Sequence, residues 1–258
     1  MYFTFYKYQG AGNDFVIFDN RKNTFPKEKT NIIANICDRH FGIGADGIIL
    51  LENDTSSDFG MTYYNSDGAE SSMCGNGGRC IVAFAKKLNI ITDKTIFNAI
   101  DGLHEATISN DMVSLKMKDV DTVNVKEDFV FLNTGSPHHV EMVNDLANYP
   151  VFKRGKAIRN KLYAKEGSNI NFVEPESQNS FRVRTYERGV EDETLACGTG
   201  VTAVAIAMHK CNITTDKNIQ LFVTGGKLEV TFDVDHSSYK NIMLSGPATF
   251  VFEGIIKL

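Results

Sequence analysis

The sequence predicts an α+β fold made of two similar halves, each a mostly antiparallel sheet around a buried helix. One device occurs twice: Met-Cys-Gly-Asn-Gly at 73–77 and Ala-Cys-Gly-Thr-Gly at 196–200, each running into an apolar, Ala-containing stretch that reads as a helix. The spacing repeats too. Gly12 lies 62 residues before Cys74, and Gly135 lies 62 residues before Cys197. Short runs rich in Val, Ile, Phe and Thr, bounded by Gly, Asn and Asp, recur along the chain as strands do.

Taken in order, MYFTFYKYQG alternates and carries Lys7, so it reads as a first strand and not as a signal peptide. FVIFDN, GIILLE, GMTYYN, TIFNAI, HEATIS and MVSLKM follow as strands to about residue 118, with a candidate helix in KEKTNIIANICDRH at 27–40. In the first cysteine helix Ile81, Phe84, Ala85 and Leu88 keep helical spacing, with Arg79, Lys86 and Lys87 off that stripe. A polar stretch, DVDTVNVKED, precedes a second series: FVFLNT, NINFVE, FRVRTY, IQLFVT, KLEVTFDV, NIMLSG and FVFEGIIKL. The region after His139 is a further helix candidate, and VTAVAIAMHK is apolar nearly all round, as expected of a helix wrapped by sheet. Tyr64–Gly68 and Tyr186–Gly189 are matched segments, each following an alternating run. The halves therefore read as a repeat.

Composition narrows the function. A net charge of −5 without a basic run argues against nucleic acid, and no stretch approaches a membrane span. A cytoplasmic protein is the default expectation. No Walker-type loop or dinucleotide fingerprint is present. The five cysteines, at 37, 74, 80, 197 and 211, contain no C-x-x-C pair, which is a poor framework for zinc or disulfides. Cys37, Cys80 and Cys211 read as small core residues.

Cys74 and Cys197 read differently because of the glycines beside them. A cysteine just before a helix feels the positive end of the helix dipole, which favours the thiolate. A Cys-Gly-x-Gly turn also aims backbone N–H groups outward as an anion nest. Two such nests could clamp one carboxylate, with a cysteine on each face of the attached carbon. That arrangement suits inversion of an amino-acid α-carbon: one thiolate removes the α-proton and the opposite thiol returns one, while oriented N–H donors stabilise the enolate-like intermediate. Other readings stay open on residues alone: two tight turns with buried cysteines, a cysteine hydrolase using His138 or His139, or a thiol redox or binding protein in which Cys74 and Cys197 form a switchable disulfide.

Several segments together resemble the diaminopimelate epimerase family: GAGNDFVIFDN, DRHFGIGADG (38–47), YYNSDGAESSMCGNGGRC (63–80), GSPHH (135–139) and YERGVEDETLACGTG (186–200). The resemblance spans essentially the whole chain. It implies a cofactor-independent isomerase, with no metal, that interconverts LL- and meso-diaminopimelate on the route to lysine and peptidoglycan. Cys74 and Cys197 correspond to the catalytic bases. Gly75 and Asn76, with Gly198 and Thr199, match donors to the reacting carboxylate. Asn13, Asn65, Asn169 and Arg188 match residues that hold the substrate, the last three at its far carboxylate. Glu187 matches a holder of the substrate ammonium, and His138 a histidine next to the catalytic site. Two positions depart: Ser136 and Gly47 stand where many members have Asn and Gln. The resemblance also implies two pseudo-symmetric domains, 1–119 plus 247–258 and 120–246, with the active site in the cleft between them, the last strand returning to the first domain, and a homodimer. A related proline or hydroxyproline racemase is the nearest alternative, though it would have little use for Arg188.

Overall fold

The computed structural model describes residues 1–71 and 73–258. The chain folds into two compact units, Met1–Leu115 with Gly246–Leu258, and Lys116–Ser245.

The first unit runs β1 (Tyr2–Gly10), β2 (Asn13–Asp19), α1 (Thr30–Cys37), β3 (Gly47–Glu52), β4 (Phe59–Asn65), β5 (Glu70–Ser71), α2 (Gly75–Lys87), β6 (Lys94–Ala99), β7 (Gly102–Ser109) and β8 (Met112–Lys116). Pairing is antiparallel for β1–β2, β3–β4, β4–β5, β6–β7 and β7–β8, and parallel for β2–β3 and β4–β6. β3 is an unbroken apolar run, GIILLE, because both of its faces are covered. Ile48 and Leu50 join Val16, Phe18 and Tyr64 under Ile33 and Ile36 of α1. Ile49, with Met61 of β4, reaches Gly77 of α2 on the other face. α2 packs on β1, β2, β3 and β7, and its residues from Gly75 to Val82 are all buried.

The second unit runs β9 (Val123–Val125), β10 (Val130–Asn133), β11 (Pro137–Met142), α3 (Val151–Tyr163), β12 (Asn169–Ser177), β13 (Ser180–Glu187), β14 (Asp192–Thr194), α4 (Gly198–Lys210), β15 (Asn218–Val223), β16 (Gly226–Asp235) and β17 (Ser238–Pro247). β9–β10, β10–β11, β12–β13, β13–β14, β15–β16 and β16–β17 pair antiparallel, whereas β11–β12 and β13–β15 pair parallel. Val151 of α3 packs on Ile170, Phe172 and Tyr186. α4 contacts β10, β11, β12, β13, β15 and β16. Burying an aliphatic side chain of the size of Val201 or Ile206 on α4 contributes about 2 kcal/mol each. β18 (Thr249–Lys257) then pairs antiparallel with β1. The result is a mixed sheet with few helices, an α+β protein.

Two expectations need correction. Arg79 was placed off the apolar stripe of the first cysteine helix, yet it is fully buried. Cys211 is the C-cap of α4 and half-buried, not a core residue. The helix expected in the region after His139 is α3, which begins at Val151 once β11 has run to Met142. The polar stretch before residue 129 also contains the short strand β9, whose three residues, Val-Asn-Val, are too few to stand out among the polar residues around them.

Candidate active site

In the first unit Cys74 is the N-cap of α2, with extended backbone, and its Sγ accepts the Gly77 N–H at 3.2 Å. The first intrahelical bond runs from Gly78 N–H to the Cys74 carbonyl at 2.8 Å. The Gly75 and Asn76 N–H groups therefore stand ahead of it, at the positive end of the helix. Asn13, the first residue of β2, reaches this turn: its Oδ1 accepts from Asn76 Nδ2 at 3.3 Å and faces the Cys74 thiol at 3.9 Å. Its Nδ2 donates to Asp46, which also accepts from Arg39 at 2.8 Å. Asp46 thus fixes which end of the Asn13 amide points at the cysteine. Arg39 and Lys7 both hold Asp14. Burial works to raise the Asp14 carboxyl, but the two cations outweigh it and bring it to about 2.

Asn65 ends β4 directly opposite Gly47. A side chain at Gly47 has no room. A Cβ there would lie 2.5 Å from Tyr63 Cε2 and would strike the Tyr64 carbonyl. The phenol of Tyr63 fills the space where longer side chains at position 47 would start.

In the second unit Cys197 is the N-cap of α4, and its Sγ lies 3.5 Å from Thr199 Oγ1. Val201 N–H makes the first intrahelical bond, to the Cys197 carbonyl at 3.0 Å, leaving Gly198 and Thr199 ahead of it. The Thr199 carbonyl is tied to β10's end by Thr134 Oγ1 at 2.8 Å. Asn169, Arg188 and Ser136 form a cluster. Asn169 Oδ1 accepts the Arg188 N–H at 2.9 Å, and Ser136 Oγ takes Asn169 Nδ2 at 3.0 Å and Arg188 Nη2 at 3.3 Å. Arg188 is exposed. Glu187 lies half-buried next to it. Burial pushes its carboxyl up, and the Thr194 hydroxyl, donating at 2.9 Å, pulls it back in part.

His138 and His139 point to opposite faces of β11, as successive strand residues do. His139 meets Tyr163 Oη at 2.8 Å and stacks on Phe129. His138 is buried on the other face, where Asn171 Nδ2 donates to its Nδ1 at 3.2 Å. The proton of the neutral ring is therefore on Nε2. Burial first, and the Arg188 charge second, bring the His138 pKa down to about 3, so the ring is neutral at ordinary pH.

The structure thus groups Asn13, Cys74, Gly75 and Asn76 in one unit, and groups Asn169 with Arg188, and Cys197 with Gly198 and Thr199, in the other. Sequence reasoning missed Asp46, Thr134, Asn171 and Thr194, whose work is to orient other residues. The only signals were the places of Asp46 in the quoted DRHFGIGADG run and of Thr194 in YERGVEDETLACGTG. Among the described residues there is no cluster of three or more His, Cys, Asp or Glu that could hold a metal ion, and no helix is long and apolar enough to cross a membrane.

Comparison with solved structures defines the class by fold. The chain superposes over its full length on a PhzF-family phenazine biosynthesis protein from Bacillus anthracis, with a TM-score of 0.80 at 12% identity and all of that chain covered. It also matches a hydroxyproline epimerase from Agrobacterium vitis, with a TM-score of 0.69 at 14% identity, covering 100% of this chain and 93% of that one. Sequence comparison is more specific. The diaminopimelate epimerase family model matches residues 5–123 and 130–251. A diaminopimelate epimerase from Flavobacterium psychrophilum is 62% identical over 253 residues, covering 97% of this chain and 99% of the relative. Another, from Aquifex aeolicus, is 39% identical over 271 residues, covering 97% and 96%. The chain belongs to the diaminopimelate epimerase family.

Proposed function

We propose that this protein is an isomerase that interconverts LL- and meso-2,6-diaminopimelate, with Cys74 and Cys197 as the two bases. The observation that carries the reading is the pair of cysteines, each the N-cap of a glycine-led helix, in a chain 62% identical to a diaminopimelate epimerase. In this reading the thiolate of one cysteine takes the α-proton: the C–H bond breaks, an S–H bond forms, and the electron pair moves into the carboxylate. The N–H groups of Gly75 and Asn76, with those of Gly198 and Thr199, hold that developing charge. The thiol of the other cysteine then delivers its proton to the opposite face. The two cysteines end with their protonation states exchanged, and no cofactor takes part.

Asn13 holds the substrate beside Cys74. Glu187 takes the ammonium, and the raised carboxyl of a half-buried acid would be returned to the charged form by that cation. Asn65, Asn169 and Arg188 take the far carboxylate, with Ser136 as a relay between Asn169 and Arg188. His138, oriented by Asn171, contributes a neutral Nε2–H donor next to the reacting end.

The reading includes two pseudo-symmetric domains, 1–119 plus 247–258 and 120–246, that share one active site in the cleft between them. What supports it is the order of strand pairings, in which parallel steps at β2–β3 and β4–β6 recur at β11–β12 and β13–β15. A cytoplasmic homodimer completes it, on the family's pattern. The test is incubation of reduced protein, without added cofactor, with LL-diaminopimelate, L-proline and trans-4-hydroxy-L-proline, followed by chiral separation. The meso isomer should form from the first alone. Turnover of either cyclic amino acid with none of diaminopimelate would overturn the substrate assignment.

A further inference from the structure

Arg79 sits one turn into α2, the helix capped by Cys74, with 0% of its surface exposed. Its guanidinium folds back toward the helix start. Nη1 donates to the Gly75 carbonyl at 3.2 Å and Nη2 to Asn76 Oδ1 at 2.9 Å, while Nε is buried with no hydrogen-bond partner among the described residues. Gly10 of β1 makes the room: a Cβ there would lie 3.4 Å from Nη2 and 3.2 Å from the Asn76 carbonyl.

Both aspects of this placement are unfavourable for an arginine that serves the fold alone. A buried cation is strongly destabilising unless negative charge accompanies it. A positive charge at a helix N-terminus also opposes the macrodipole. Burial accordingly lowers the Arg79 pKa, and the groups whose fields counter that are the thiols of Cys80 and Cys74, not a carboxylate. Cys80 cannot be the partner, because complete burial pushes its own thiol up to about 12 and keeps it neutral. Of the ionisable groups in this unit, Asp14, Asp46 and Tyr8 offer it no free negative charge. Lys7 and Arg39 neutralise Asp14 and Asp46, and the Tyr8 phenol is held far above its usual range by burial. The charge of Arg79 is thus left for an anion at the start of α2.

We propose that Arg79 is a positioning residue that supplies the counter-charge at the start of α2, for the Cys74 thiolate in the resting enzyme and for the substrate carboxylate as charge builds on it. Asn76 links the two, its Oδ1 held by Arg79 and its Nδ2 turned to Asn13. The proposal rests on the reading of Cys74 as a base, and its first test needs no substrate. The rate of iodoacetamide alkylation of Cys74 is followed against pH, by mass spectrometry of the Cys74 peptide, in the wild type, Arg79→Lys and Arg79→Met.

The wild type should ionise below the ordinary thiol value of about 8.5, and Arg79→Lys should stay near it. Arg79→Met should ionise at least one unit higher, a roughly tenfold loss of thiolate at fixed pH. The acid limb of the kcat/KM profile should move by the same amount, with kcat falling more than KM rises. A folded Arg79→Met protein with the wild-type alkylation profile would overturn the proposal. So would wild-type Cys74 titrating at or above the ordinary thiol value, a result that requires no variant to fold. A wild type that alkylates as expected but turns over no diaminopimelate would sink the substrate assignment and leave the role of Arg79 standing.

Discussion

Replacing His138 with Gln should remove a large part of the protein's acid sensitivity. His138 is completely buried, accepts the Asn171 amide on Nδ1, and titrates near 3 in the folded protein against its usual 6.5. Below pH 6.5 the unfolded chain therefore binds one more proton than the folded one, so stability rises with pH through this window. The His138 contribution is intact above the unfolded value, declines as pH falls through 6.5, and is lost in full near 3. Between about pH 7.5 and about pH 5 the loss amounts to about 2 kcal/mol from this group alone. Gln at this position keeps an acceptor for Asn171 and does not titrate. Urea denaturation, followed by far-ultraviolet circular dichroism and tyrosine fluorescence because the chain has no Trp, should show wild type losing about 2 kcal/mol more than His138→Gln over that range. Parallel pH dependence in the two proteins would refute the reasoning, because it would mean that His138 is no harder to protonate in the fold than in the unfolded chain.

Gly200→Ala should destabilise the protein by about 2–3 kcal/mol, since the added Cβ would lie 2.5 Å from Asn171 Oδ1 in a packed site. An unchanged urea midpoint would contradict this. Arg188→Ala should raise KM for diaminopimelate by about tenfold or more, with a smaller change in kcat, and Lys should not restore it because the two-point guanidinium geometry is lost. Wild-type KM in either variant would remove Arg188 from the far-carboxylate role. Asp46→Ala should lower turnover about tenfold by removing the acceptor of Asn13 Nδ2 and releasing the amide that faces Cys74. Full activity in a chiral assay would show that Asn13 is held by other means.

The two cysteine loops were legible in the sequence because Cys-Gly-x-Gly before an apolar run has few structural meanings, and the strands were legible because Val, Ile and Phe announce half-buried sheet. Arg79 was misplaced for a physical reason. Helical periodicity counts arginine as polar wherever it falls, and its burial depends on Gly10, far away in sequence, and on Asn76 taking a guanidinium N–H. The roles of Asn171 and Asp46 were not legible for a related reason: each acts by aiming another side chain, which only the folded sheet brings within reach. The short strands β5, β9 and β14 carry two or three residues each, too few for a periodic side-chain pattern to stand out, and the side-chain ties of β14 to β13, Thr194 to Glu187 and Arg184 to Glu193, exist only once the strands have paired. Cys211 was read as core from residue type, whereas its place at the end of α4 leaves it half-buried.

The most direct test of the two-base account is the position of deuterium at early conversion in D2O. LL-diaminopimelate is incubated with the reduced wild-type protein, the reaction is stopped while product is scarce, and both isomers are separated and examined by NMR and mass spectrometry. Two bases on opposite faces predict meso product carrying deuterium at the inverted α-carbon, recovered LL substrate still carrying protium there, and no inversion with Cys74→Ala or Cys197→Ala. Product that retains the substrate's proton, or inversion at full rate by either Ala variant, would contradict it.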